Sequence, residues 1–294
     1  MSLDINKVHL MSNIDGCAQM DAESVDLVVT SPPYDNLRSY NDSSEWNFET
    51  FKQIADGLIR VLKPGGVIAW NVDDAIVNLH GKKKQDGTSK TGTSFRQCLY
   101  FMDNGLNFHD NLLYQKPCAR FAAGVNSVRH TAVYEYCFIL SKGRPNHVQL
   151  IQDKPNKGAG KAYVKGGGRD VDGTRIGRSK DKKKYITPEF GVRTNIWLMG
   201  NTHKDKRAYE HPALMPPELA YDLVRTYTKE GDLVLDPFMG SGTTARAAFA
   251  QKRDYIGFEI DETFHKLCED LTIDYEETVT NEREEEDNRG VLPL

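Results

Sequence analysis

Short apolar runs and helically spaced apolar positions take turns along most of this chain. VDLVVT (Val25 to Thr30) reads as a strand, and it stops at Ser31-Pro32-Pro33 because proline has no amide hydrogen to give a sheet ladder. FETFKQIADGLIRVLK (Phe48 to Lys63) carries its apolar residues on one helical face, is broken by Pro64-Gly65-Gly66, and leads into the buried-strand pattern VIAWNV. SFRQCLYFMDNG predicts a helix ending at Gly105, and NFHDNLLYQK and TAVYEYCFIL predict two strands. Further on, PPELAYDLVRTYTK predicts a helix, DLVLD a strand, GSGTT a turn opening the helix ARAAFAQK, DYIGFEI a strand, and Asp261 the start of a last helix. No internal repeat is visible.

Between Ser141 and about Arg193 this regularity dissolves. KGRPN, NKGAGK, KGGGRD and SKDKKK are rich in glycine and lysine and poor in apolar periodicity, which predicts an insertion or a mobile, substrate-facing segment outside the core. Strands and helices alternating on both sides of it predict an α/β fold with a doubly wound, mostly parallel sheet. The expected organisation is two halves of one domain, 1–140 and 208–278, an insertion over 141–207, and a tail over 279–294.

Charge sharpens the reading of the insertion and the tail. The net charge of the 294 residues is only -4, yet Lys142 to Arg207 holds 17 Lys/Arg against 6 Asp/Glu, whereas from Glu259 onward 13 Asp/Glu face 3 Lys/Arg. So many cations on one segment imply a polyanionic partner, with Lys182, Lys183 and Lys184 as candidate phosphate contacts. The acidic end NEREEEDNRG is expected to be disordered and solubilising. No apolar run approaches the roughly 18 residues that cross a bilayer, and MSLDINKVHL lacks a signal pattern, so a cytoplasmic protein without membrane contact is expected. The cysteines (Cys17, Cys98, Cys118, Cys137, Cys268) form no C-x-x-C pair, and no metal is expected.

LDPFMGSGTT (Leu235 to Thr244) sets a strand end, a glycine-rich turn and a helix start in succession. Gly240 and Gly242 let a backbone approach a ligand closely, and Ser241, Thr243 and Thr244 are candidates to cap the helix. Glu259, at the end of the next strand, suits a bidentate hold on ribose hydroxyls, so the pair describes an adenosine-containing cofactor. A triphosphate loop would need a lysine after the second glycine. A dinucleotide loop would have a third glycine, and Asp236 before the turn repels phosphates while attracting a cationic aminoacyl group. S-adenosylmethionine fits better than NAD.

TSPPY (Thr30 to Tyr34) supplies the matching reaction chemistry. An exocyclic amino nitrogen on a base is a poor nucleophile because its lone pair is delocalised into the ring. If Ser31 and the carbonyl of Pro32 each accept one amino hydrogen, the nitrogen is biased towards a tetrahedral state with its lone pair facing a sulfonium methyl. Pro32 and Pro33 fix φ near about -65° and hold that carbonyl still, and Tyr34 offers a face for a flipped-out base.

TSPPY, RVLKPGG (Arg60 to Gly66), EHPALMPPEL (Glu210 to Leu219), GDLVLDPFMGSGTT and IGFEID resemble the blocks of the DNA amino-methyltransferases of the β arrangement, in which the catalytic motif precedes the cofactor motif. The resemblance covers residues 8–140 and 195–275 or thereabouts. It implies a Rossmann-like methyltransferase sheet, target recognition by the basic insertion, and cofactor contacts from Asp236, Phe238, Gly240, Gly242, Thr243 and Glu259, with His211 and Pro212 lining the same site. Serine in the first catalytic position resembles the N4-cytosine enzymes more than the N6-adenine enzymes, which usually carry Asp or Asn. The expected activity is therefore site-specific methylation of cytosine N4 in double-stranded DNA by direct transfer to a flipped-out base. N6-adenine methylation on the same scaffold, or a catalytically inactive DNA-binding protein, are the alternatives. Any restriction endonuclease would be a separate chain. One departure is Met11-Ser12, where many relatives have Gly-Asp, which leaves open whether Ser12 or Asp15 holds the adenine.

Other residues have plainer readings. Pro117-Cys118 resembles the nucleophile of cytosine-C5 methyltransferases but reads as a strand end, since TSPPY already supplies a complete amino-group site. Lys82, Lys83 and Lys84 read as a solvated loop or phosphate contacts, and Tyr163, Tyr185 and Trp197 as base-stacking or core residues.

Overall fold

A computed structural model describes residues 3–33, 46–77, 89–117, 130–164, 168–175 and 184–288, with side chains as far as 281. Eight strands make one sheet: β1 (Lys7–Leu10), β2 (Val25–Thr30), β3 (Leu62–Val72), β4 (Asn107–Gln115), β5 (Tyr134–Ser141), β6 (Ile196–Leu198), β7 (Leu233–Asp236) and β8 (Asp254–Glu259). Their spatial order is β1-β8-β7-β2-β3-β5-β4-β6. All neighbours are parallel except β5, which runs antiparallel to both β3 and β4. The sheet is thus the mostly parallel α/β sheet that the alternation predicts.

Among the described residues six α-helices flank it: α1 (Asn13–Gln19), α2 (Phe48–Val61), α3 (Thr93–Asp103), α4 (Pro217–Tyr227), α5 (Thr243–Ala250) and α6 (Glu262–Asn288). Val28, Ile68, Trp70, Phe138, Leu140, Leu235 and Phe258 pack in one cluster with Cys17 of α1, Phe51, Ile54 and Leu58 of α2, and Phe101 of α3. Leu27, Val29 and Ile139 are fully buried outside that cluster and by strand alternation point to the other face, where α4 packs on β2 and α5 joins α4 to α6. Helix α2 shows how local sequence sets an element. The Asn47 side chain accepts from Glu49 N and Thr50 N, both at 2.9 Å, which satisfies two otherwise orphaned donors. The helix stops at Val61, two residues before the periodicity predicts, because Leu62 is already extended and pairs with Val25.

Residues Leu150–Thr194 form a second compact unit. Among the described residues it holds two antiparallel ribbons, Gln152–Pro155 with Phe190–Val192 and Ala162–Val164 with Lys184–Ile186. The sequence predicts no strand there, because ribbons of three or four largely exposed residues have no buried face to impose alternation. A second correction falls at the C-terminus: the acidic end, expected to be disordered, continues α6 as far as Asn288. Glutamate is a good helix former, so acidity alone does not end a helix.

Candidate active site

Strands β2 and β7 are parallel neighbours, paired through Leu27 with Val234 and Val28 with Leu235. Their C-terminal ends therefore open on one edge of the sheet, next to the end of β8. The chain leaves β2 towards β3 on one side and β7 towards β8 on the other, the arrangement that opens a crevice for ligands. Ser31, Pro32 and Pro33 after β2, residues of the turn from Pro237 after β7, and Glu259 to Asp261 at the end of β8 line one cavity of about 940 Å³. That is near the upper end for small-molecule sites, so a nucleoside cofactor and a base have room side by side.

Asp236 ends β7 and is 3% exposed. Its Oδ1 accepts from Thr30 Oγ1 at 2.6 Å and Phe238 N at 3.0 Å, and its Oδ2 from Thr244 Oγ1 at 2.7 Å. Burial pushes its carboxyl up to about 6, against the downward pull of those donors. Asp236 lines the cavity, but both oxygens are engaged by the protein itself. Glu259 works similarly: Oε2 accepts from Gly240 N at 3.0 Å, and Oε1 from Ile260 N at 2.9 Å and Asp261 N at 3.0 Å. Burial raises its pKa too. Oε1 thereby fills both of its lone-pair sites while Oε2 keeps one, so Glu259 can shape the turn and still accept from a ligand hydroxyl through Oε2.

The two glycines of the turn differ in purpose. Gly240 has φ +53, and a Cβ there would lie 3.1 Å from the His211 ring. His211 is 8% exposed, meets Phe264 edge-on at 4.5 Å between centroids, and is held through Nδ1 and Ala213 O at 2.5 Å. Gly242 has φ +80 and caps α5, but a Cβ there would meet Cys268 Sγ and Thr272 Oγ1 of α6 at 2.7 Å. Its missing side chain makes way for α6, not for the cavity. No side chain caps α5, contrary to the expectation for Ser241, Thr243 and Thr244; Thr244 binds Asp236 instead. Ser241 and Thr243 line the cavity, whereas Gly242 and Pro212 do not.

Phe238 forms an aromatic wall with Trp46, edge-on at 5.5 Å, and both line the cavity together with Phe258 and Phe264. Among the described residues the lining holds four acids, Glu135, Asp236, Glu259 and Asp261, and no lysine or arginine. Such a surface attracts a cation and repels phosphates. Of the catalytic motif, Thr30 is fully buried, Ser31 and Pro33 are half-buried and Pro32 is buried; Tyr34 lies outside the described residues. Beside them, Asn71 Nδ2 donates to Glu135 Oε2 at 2.8 Å, and Glu135 pairs with Lys116 at 2.6 Å. Sequence reading missed Asn71, Glu135, Trp46 and Phe264. Asn71 interrupts an otherwise apolar strand, a signal that was available; the others give none.

The remaining candidates fall elsewhere. Ser12 caps α1 through Asp15 N at 3.1 Å and lines the cavity. Lys184 opens a ribbon strand, while Lys82, Lys83, Lys84, Cys118, Lys182 and Lys183 lie outside the described residues. Tyr163 and Tyr185 are cross-strand partners with ring centroids 5.8 Å apart, and Trp197 is 6% exposed in β6. Among the described residues no cluster of potential metal ligands occurs, and no helix is long and apolar enough to cross a membrane.

The family model N6_N4_Mtase, described as DNA methylase, matches residues 25–270. The chain belongs to this DNA methylase family. The methylase is 41% identical over 271 residues to the orphan methyltransferase M.BamHII of Bacillus amyloliquefaciens, covering 90% of this chain and 93% of that one. Its fold matches PvuII DNA methyltransferase, which is cytosine-N4-specific, with a TM-score of 0.62 at 17% identity over 95% and 94% of the chains. It also matches a DNA modification methylase from Thermus thermophilus solved with S-adenosyl-L-methionine, with a TM-score of 0.60 at 20% identity over 92% and 93%. This protein is thus a methyltransferase that acts on an exocyclic amino group of DNA, cytosine N4 or adenine N6.

Proposed function

We propose that this methylase transfers the methyl group of S-adenosylmethionine to N4 of cytosine in double-stranded DNA, at a specific site and on a flipped-out base. The observation that carries the reading is the shared cavity: Ser31-Pro32 opens into the same space as an aromatic turn flanked by acids and free of lysine and arginine among its described lining residues. A sulfonium and an ammonium suit that surface, while the phosphates of NAD or ATP do not. Glu259 would hold the ribose hydroxyls and Phe238 and Phe264 the adenine, while His211 packs over Gly240. When bound, S-adenosylmethionine supplies an electrophilic methyl group on a sulfonium.

The chain's own residues prepare the acceptor. Ser31 Oγ and the Pro32 carbonyl accept the two amino hydrogens, which localises the nitrogen lone pair and aims it at the methyl group. Tyr34 stacks on the extruded base. A neutral serine in place of a carboxylate favours cytosine N4 over adenine N6. The basic segment 141–207 reads the target, with Lys182, Lys183 and Lys184 on phosphates. The orphan status in the name of M.BamHII favours an enzyme that works without a restriction partner. Mass analysis of nucleosides from duplex DNA methylated in vitro tests the reading. N4-methylcytosine is expected; N6-methyladenine would overturn the assignment, and no methylated base would overturn the activity.

A further inference from the structure

The loops that the proposed reaction brings together sit where backbone pairing between β2 and β7 runs out. The last paired residues are Val28 and Leu235. Beyond them the tie passes to side chains, through Thr30 Oγ1 to Asp236 Oδ1 at 2.6 Å and Thr244 Oγ1 to Asp236 Oδ2 at 2.7 Å. Thr244 Oγ1 also lies 3.4 Å from Val29 O, and Phe238 N donates to Asp236 Oδ1 at 3.0 Å. Thr30, Asp236 and Thr244 are 0%, 3% and 1% exposed. One buried carboxylate therefore holds the residue just before Ser31, the start of the cofactor turn, and the first turn of α5.

We propose that Thr30, Asp236 and Thr244 form an internal strut that sets the spacing between the catalytic loop and the cofactor turn. Thr30 and Thr244 are positioning residues that act through Asp236: Thr30 lies outside the cavity lining, and Thr244, which lines it, has its hydroxyl taken up by Asp236. The inference rests on the assignment of Ser31 to the acceptor base and of the turn after β7 to the cofactor. Direct transfer requires the acceptor nitrogen and the methyl group to meet in line, and a misplacement of about 1 Å costs on the order of 100-fold in rate. Hydrogen bonds to a carboxylate out of water are short and strong, which suits a spacer placed where the ladder between β2 and β7 has ended, although each strand still pairs with its outer neighbour. A merely structural threonine at the end of a strand would be served as well by valine, which has the same shape and strand preference.

The test is single-turnover methyl transfer at saturating cofactor and DNA, with cofactor affinity measured separately by calorimetry. Thr30→Val is expected to slow transfer about 10- to 100-fold while the dissociation constant for S-adenosylmethionine stays within about 3-fold and Thr30→Ser regains most of the rate. Thr244→Val breaks the same strut from the helix side and gives the same pattern, so the test stands if Thr30→Val fails to fold. Because both act through one carboxylate, the double variant loses less than the product of the single losses. Parental rates in both valine variants, fully multiplicative losses, or cofactor affinity falling in step with rate would each overturn the strut. Ser31→Ala, run alongside, separates the two readings: if it is fully active the catalytic assignment itself has failed, whereas if it is slow beside fast valine variants only the strut has.

Discussion

At the scale of single residues, the proposed reaction turns on Ser31. Its replacement by alanine removes one preorganised acceptor and should lower the single-turnover rate about 10- to 1000-fold with cofactor affinity unchanged; tritiated cofactor measures the first and calorimetry the second. Asp236 makes a prediction about pH. Burial holds its folded pKa at about 6, above the usual 3.8, so the folded chain binds this proton more tightly than the unfolded one. The stability this group contributes is present below about pH 3.8 and is lost as pH rises through about 6. Asp236→Asn removes that loss. Urea unfolding should find the stability difference between variant and parent shifting in the variant's favour by up to about 3 kcal/mol from about pH 4 to about pH 8, on top of a pH-independent loss of carboxylate hydrogen bonds. A difference that does not change with pH would mean that burial does not raise the carboxyl's pKa.

At the scale of elements, the glycine-rich turn after β7 is bounded by α6 as much as by its own sequence. Gly242→Ala places a Cβ 2.7 Å from Cys268 Sγ and Thr272 Oγ1 at φ +80, combining backbone strain with overpacking. It should cost about 2 to 5 kcal/mol in chemical unfolding. Gly231→Ala has the same φ of +80 but nothing within 4 Å, and should cost only about 1 to 2 kcal/mol. Equal losses would show that α6 does not press on the turn. The motif's first glycine is fitted to His211 and its second to α6, so a glycine-rich turn read as making room for a ligand makes room largely for the protein.

At the scale of the whole molecule, charge is segregated in the chain, with the 17 Lys/Arg of Lys142 to Arg207 far from the acidic end in sequence. Duplex DNA affinity should fall steeply with salt, and replacing Lys182, Lys183 and Lys184 together by alanine should flatten the log-log slope by up to about 2.7 if all three meet phosphates. Fluorescence anisotropy over a salt series measures it; an unchanged slope would make the run a solvated loop.

Local sequence by itself determined most of the strands and helices of the main sheet, because burial on one or both faces writes a period of 2 or 3.6 into the residues that form them. It also marked Ser31 and the LDPFMGSGTT turn, since proline and glycine announce strand ends and turns wherever they lead. The ribbons of Leu150–Thr194 and the short strand β6 stayed hidden, because three exposed or half-paired residues leave no such trace. Only the tertiary structure decided that β5 runs against its neighbours, that Asp236 answers to Thr30 and Thr244, and that Asn71 and Glu135 meet beside Ser31. These are pairings between residues far apart in the chain. A hydrogen bond that joins Thr30 to Asp236 across 206 positions imposes no periodicity on either segment, so it exists only once the strands are side by side.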